Sequence, residues 1–252
     1  MAKVFRNAEL ERRLQERMFA RLAARHGNRI RREMAAQYRA SAMAFMDGYT
    51  DPLVDGERLT TALSALIRDS YQEAGQRTAR AIQEAVGRAG KRAVPMDPAF
   101  EQELDRYIRV YAAAKVVEID ATTRSRIAGI VRQGIAEGWT NRETAAAIRQ
   151  LGAVDSMFRA RTIARTESHS AAMAGNLESA AETGVVKAKL WFHAEDERVR
   201  DGVESEFDHT GVEPAQLEEP FIVSGERLMH PGDPAGSPGN IINCRCGLGY
   251  EV

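Results

Sequence analysis

The chain has 252 residues, 44% hydrophobic and 28% charged, with a formal net charge of −1, which suits one large or two ordinary folded globular domains. No apolar run approaches the ~20 residues of a membrane-spanning helix, and the opening MAKVFRNAELERR turns polar after Val4 and Phe5 instead of leading into an apolar core, so neither a membrane span nor a signal peptide is expected. The two cysteines, Cys244 and Cys246, rule out a disulfide framework and make a reducing cytoplasm the expected place of synthesis.

Charge is polarised along the chain. Residues 1–39 carry eleven Lys and Arg against four acids, whereas residues 192–252 carry four arginines against thirteen Asp and Glu. A basic N-terminal arm suits a solvated helix surface first, and an acidic protein face or nucleic acid second.

The first half reads as helix. Leu10, Leu14, Met18 and Leu22, then Ile30, Met34 and Tyr38, recur at intervals of four with arginines between them, the stripe of an amphipathic helix. His26-Gly27-Asn28 is expected to break or kink it, and Asp51-Pro52 to end a first helical hairpin. A second helical stretch is expected over about 57–90. Pro95 and Pro98 bracket a connector, and a third, proline-free helical region runs from Phe100 to about Glu137. Thr140-Asn141-Arg142-Glu143 has the form of a capping box opening a helix that ends near Gly152. A last long helix is expected from Asp155 to Thr183, with Gly184 as its C-terminal cap.

After Gly184 the texture changes. Residues 185–192 form a β-type run ending in Trp191-Phe192, and Phe221-Ile222-Val223 with Glu226-Arg227-Leu228-Met229 flank a Ser224-Gly225 turn as a hairpin. Five of the eight prolines lie at or beyond Pro214. The predicted class is α+β, with a mostly helical N-terminal half followed by a long helix and a small antiparallel sheet with long loops. The expected divisions are a helical arm over 1–95, a helical connector over 96–150 and a C-terminal module over 151–252.

Several separated segments of that module form a series: Arg161 to Glu167, including Arg165, then Asn176, Trp191, Asp196 with Arg198 and Arg200, Pro231-Gly232-Asp233-Pro234, and Asn243-Cys244-Arg245-Cys246. In this order they resemble the phage Mu F-like head morphogenesis family over about 140–250. In that family a histidine follows the paired arginines closely; here residues 201–208 intervene before His209, the best equivalent. The resemblance implies a minor capsid protein of a tailed bacteriophage or prophage, made in the host cytoplasm and residing in the virion head. It implies association with the portal vertex, through the portal protein or the major capsid protein, and a role in assembly and in DNA packaging or ejection. It implies no catalytic residues.

The residues themselves suggest a metal. Two cysteines one residue apart project to one face of an extended strand, with Cα atoms about 6.6 Å apart, so both thiolates can reach one ion. Zinc favours four sulfur or imidazole ligands, and His209 and His230 precede the cysteines, with His193 a further candidate. A strained disulfide and two free structural thiols remain open alternatives. Arg161, Arg165 and His169 fall on one helical stripe, where Arg165 and Glu167 suit bonds that fix the helix to loop backbone. Asp196, Arg198 and Arg200 suit structural salt bridges more than phosphate binding, and the prolines around Asp233 remove the amides a phosphate cradle needs. The apolar stripe Leu10, Leu14, Met18 and Leu22 is a docking face for a partner, and the arginines of the same helix offer contacts to DNA. The rival readings are a zinc-dependent hydrolase or nuclease with Glu167 or Asp196 as base, and a DNA-binding module. The common nucleotide-binding, zinc-protease and serine-hydrolase signatures are absent.

Overall fold

The computed structural model describes residues 8–49, 54, 56–88, 99–203 and 206–252. The expected break at Asp51-Pro52, the Pro95 to Pro98 connector, and Glu204 and Ser205 ahead of His209 lie outside the described residues. The helices are α1 (Ala8–Met46), α2 (Glu57–Arg88), α3 (Ala99–Tyr107), a π-helical turn (Ile108–Ala112), α4 (Ala113–Glu137), α5 (Asn141–Glu182) and the short α6 (Pro238–Ile241). The strands are β1 (Ala188–Phe192), β2 (Ala215–Gln216), β3 (Phe221–Val223), β4 (Glu226–Leu228) and β5 (Gly247–Glu251). This is the expected α+β class.

Two glycines do not end helices where the sequence suggested. α1 runs unbroken through His26-Gly27-Asn28 and α5 through Gly152. A mid-helix glycine costs ~1 kcal/mol against alanine, less than burying one large apolar side chain returns, at roughly 1.5–3 kcal/mol. Leu22, Ile30 and Met34 flank Gly27 and are fully buried. Gly152 has a packing reason as well, since a Cβ there would lie 2.6 Å from Tyr38 Cγ.

The chain forms two compact units that interleave along the sequence. One comprises residues 24–65 and 107–164. Its core joins Tyr38, Ala42, Ile127, Val131, Ala145 and Ile148. α4 ends at Gly138, left-handed at φ 73°, with Trp139 N donating to Gly134 O at 2.8 Å. The capping box then opens α5 as expected: Thr140 N donates to Glu143 Oε2 at 2.8 Å and Glu143 N to Thr140 Oγ1 at 3.3 Å. Tyr38 donates to the buried Asp155, which Arg126 and Arg159 also contact at 2.7 and 3.0 Å. Burial, then the Asp155 carboxylate, pushes the Tyr38 hydroxyl up to about 12.

The other unit comprises residues 1–23, 66–106 and 165–252. Gly75 and Gly175 let α2 approach α3 and α5 closely: a Cβ on Gly75 would meet the Phe100 ring, and one on Gly175 the backbone of Tyr71. Asn176 Oδ1 accepts from Thr78 Oγ1 at 2.7 Å and Tyr250 Oη at 2.9 Å, joining α2, α5 and β5. α5 ends at Gly184, left-handed at φ 62°, the predicted cap. The sheet has the order β2-β1-β5, antiparallel throughout, with β1 and β5 paired from Ala188↔Glu251 to Phe192↔Gly247. β3 and β4 form the expected hairpin, where Ser224 (φ 49°) and Gly225 (φ 79°) are both left-handed, as a type I′ turn requires.

The expected apolar docking stripe on α1 is corrected here. Leu10 and Leu14 are exposed, but Met18 and Leu22 are buried in the fold. The face that was to meet a partner is consumed by the chain's own core, because Phe19 and Leu22 find apolar surface there.

Candidate metal centre

The site lies where α5, the loop after β1, and the segment entering β5 converge. Asn243 adopts a left-handed backbone at φ 58°, a conformation asparagine tolerates. Its N–H donates to Thr166 Oγ1 at 3.1 Å, and its Oδ1 accepts from Arg165 Nε and Nη2 at 2.9 and 2.5 Å. Past this anchor, Cys244 and Cys246 are both buried and both free thiols.

His209 reaches them although residues 201–208 separate it from Arg200. The intervening segment closes on itself through an antiparallel bridge between Asp201 and Asp208, and His209 N donates to Arg200 O at 2.7 Å. His209 therefore stands beside Arg200, as a shorter spacing would place it. Its Nδ1 lies 3.4 Å from Cys246 Sγ and 3.8 Å from Cys244 Sγ. Its Nε2 lies 3.1 Å from Asn240 Oδ1, whose own Nδ2 donates to Val223 O at 3.5 Å. That amide orientation assigns the proton to Nε2 and leaves the Nδ1 lone pair facing the sulfurs. Trp191 closes the site edge-on, 5.6 Å from the His209 ring.

One ligand atom from each of His209, Cys244 and Cys246 lies within 4.8 Å of the others, a group able to hold one metal ion. The neighbouring Cys246 thiol holds Cys244 well below the usual thiol range. Burial, then the neighbouring Cys244, pushes Cys246 up. Two sulfurs this close share their protons unequally, and a cation bound to both would take the place of protons.

The other predicted residues take other places. His230 is buried outside the three, with Nδ1 donating to Pro231 O at 3.0 Å. Burial lowers its pKa. His193 is half-buried and also outside the group. Asp233 folds its own loop, accepting from Met229 N at 2.7 Å and Ala235 N at 2.9 Å. Asp196 takes both Arg245 nitrogens at 2.5 and 2.7 Å, and Arg198 N at 3.0 Å. These bonds, led by the Arg245 one, hold its carboxyl well below the carboxylate range. Arg200 donates to Ile242 O at 2.5 Å. Arg165, Arg198, Arg200 and Arg245 line an open groove of about 730 Å3 beside the centre, with Glu197 and Asp201 on its wall. Glu167 is half-buried on α5, and Arg161 is exposed in the other unit. Sequence reasoning missed Asn240, since a lone asparagine in a Pro-Gly loop carries no signal of the imidazole it orients.

Fold and site together define an α+β module in which distant polar residues bind one another around a buried cysteine–histidine group. Residues 125–248, just under half of the chain, match the family Phage Mu protein F like protein. The family is one of phage head morphogenesis, as the motif series implied. No curated protein and no solved structure matches the chain.

Proposed function

We propose that this is a minor capsid protein of a tailed-phage head that associates with the portal vertex during assembly, its C-terminal module held together by one structural zinc ion on His209, Cys244 and Cys246. The observation that carries the reading is that the family's motif side chains are spent on each other. Arg165 holds Asn243, Asp196 holds Arg245, and Arg200 holds the Ile242 carbonyl. Residues bound in this way build a rigid module and present no free acid–base pair to a substrate. Two sulfurs and an imidazole suit zinc, and the Asn240 contact to His209 is the outer support such ligands usually have. Three protein donors leave one tetrahedral position. The burial of all three, at 1–3% exposure, supports structural over hydrolytic use.

α1 supports a role at the DNA. Arg13, Arg17, Arg21, Arg25 and Arg29 recur every fourth residue and are all exposed, a basic row that winds about 160° round the helix with roughly 6 Å between members. Such a row suits phosphate backbone and portal acids alike. The test is to locate the chain in intact particles and to compare particles carrying Arg17→Glu with Arg25→Glu. Normal incorporation with unchanged DNA content would overturn the head-assembly role of this row, and a water-bound zinc with hydrolytic turnover would overturn the structural reading of the metal.

A further inference from the structure

α5 grips the cysteine segment at both ends. At Asn243 the grip is made by Arg165 and Thr166. One helical turn beyond Arg165, the buried His169 brings Nε2 to 2.8 Å from the backbone oxygen of Cys246. A carbonyl only accepts, so Nε2 carries the proton and Nδ1 is bare. That Nδ1 is buried and has no hydrogen-bond partner among the described residues. It faces Gly232, where a Cβ would stand 2.6 Å away, while Phe19 packs edge-on to the ring at 4.9 Å.

A hydrocarbon side chain would fill this space without stranding a polar atom, so the imidazole is explained by the bond its other nitrogen makes. That bond falls on a ligand residue's backbone. An ion with sulfur bonds of ~2.3 Å in a tetrahedron needs its two sulfurs roughly 3.8 Å apart, and a short segment pinned at residues 243 and 246 keeps them near that separation.

We propose that His169 is a positioning residue for the His209–Cys244–Cys246 centre, holding Cys246 against α5 so that both sulfurs meet one ion. The proposal rests on the metal reading given above.

The experiment is a cobalt(II) titration of the full chain, followed by the thiolate-to-cobalt charge-transfer band and by zinc competition. His169→Gln places an amide nitrogen where Nε2 stands and keeps the bond to Cys246 O, whereas His169→Asn places it where Nδ1 stands and loses the bond. Wild type and the Gln variant should agree within about threefold, and the Asn variant should bind ~10–100-fold more weakly, as loss of outer support does. Loss of the buried bond should also lower the metal-free melting temperature of the Asn variant, so the metal affinity measured on folded protein is what decides. An Asn variant that binds like wild type, or one that only melts earlier, overturns the proposal. If the Asn variant does not fold, a folded Gln variant that has lost about tenfold or more in affinity overturns it instead. Wild-type protein that takes up neither cobalt nor zinc refutes the metal reading itself, and this proposal falls with it. A normal wild-type titration with indifferent variants refutes only the role of His169.

Discussion

Gln15 pairs with the backbone of Leu248 as a neighbouring strand would. Its Nε2 donates to Leu248 O at 3.1 Å and its Oε1 accepts from Leu248 N at 3.3 Å, across 233 positions of sequence. β5 is the last strand of its sheet, and an open strand edge is a template for wrong pairing. The side chain amide satisfies that edge with the geometry of a peptide group, and Glu11 Oε1 holds it in place through Nε2 at 2.8 Å.

Replacing Gln15 with Leu keeps the volume but strands a buried N–H and a buried C=O. The expected loss is about 2–4 kcal/mol, read as a lower urea midpoint at an unchanged slope. Gly247→Ala should act at the same place, because a Cβ there would lie 2.5 Å from Gln15 Oε1. A Gln15→Leu protein as stable as wild type would show that the contact contributes nothing.

Purified full-length protein should carry about one zinc per chain. Cys244→Ser and Cys246→Ser should each release it, and Asn240→Leu should weaken it by ~10–100-fold while leaving all three ligands in place. Elemental analysis and a competition titration read both effects, and equal zinc content in all four proteins would refute the ligand set.

Gly152→Ala ought to destabilise a helix that alanine normally favours. The added carbon meets Tyr38, whose hydroxyl is held by Asp155, so Tyr38 cannot move aside without breaking that bond. Overpacking of this kind costs about 1–3 kcal/mol, whereas propensity alone would gain ~1 kcal/mol. The sign of the change in thermal midpoint decides between them.

Lys189 gives a pH signature. It is fully buried, its Nζ donating to Met229 O at 2.8 Å over the Phe221 ring, and burial lowers its pKa from 10.5 to about 8. Below pH 8 the ammonium is charged in both folded and unfolded chains, and the full cost of burying it is present. Between pH 8 and 10.5 the unfolded chain binds more protons than the folded one, so stability rises with pH. Against Lys189→Met, wild type should gain about 3 kcal/mol across that window. A pH-independent difference between the two proteins would refute the burial of a charged amine.

Much of the fold was legible in local chemistry. The Thr140 capping box, the Gly184 cap and the Ser224-Gly225 turn are each decided within four residues, and each formed as read. The helix stops placed at Gly27 and Gly152 did not, because they weighed a local penalty without the packing that outweighs it. In the site, the cysteine pair and His209 were legible from ligand chemistry. Their union was not, since it depends on Asp201 and Asp208 closing the loop that separates His209 from Arg200.

The sequence by itself determined the class, the family resemblance and the residue types able to ligate a metal, because periodicity, turn chemistry and ligand type are properties of residues and their near neighbours. Only the tertiary structure decided that Met18 and Leu22 face inward, that Gln15 bonds to the backbone of β5, and that Asn240 and His169 bond to His209 and Cys246. These are bonds between residues tens to hundreds of positions apart, and a hydrogen bond is set by the distance and direction between two atoms that no local pattern of side chains records.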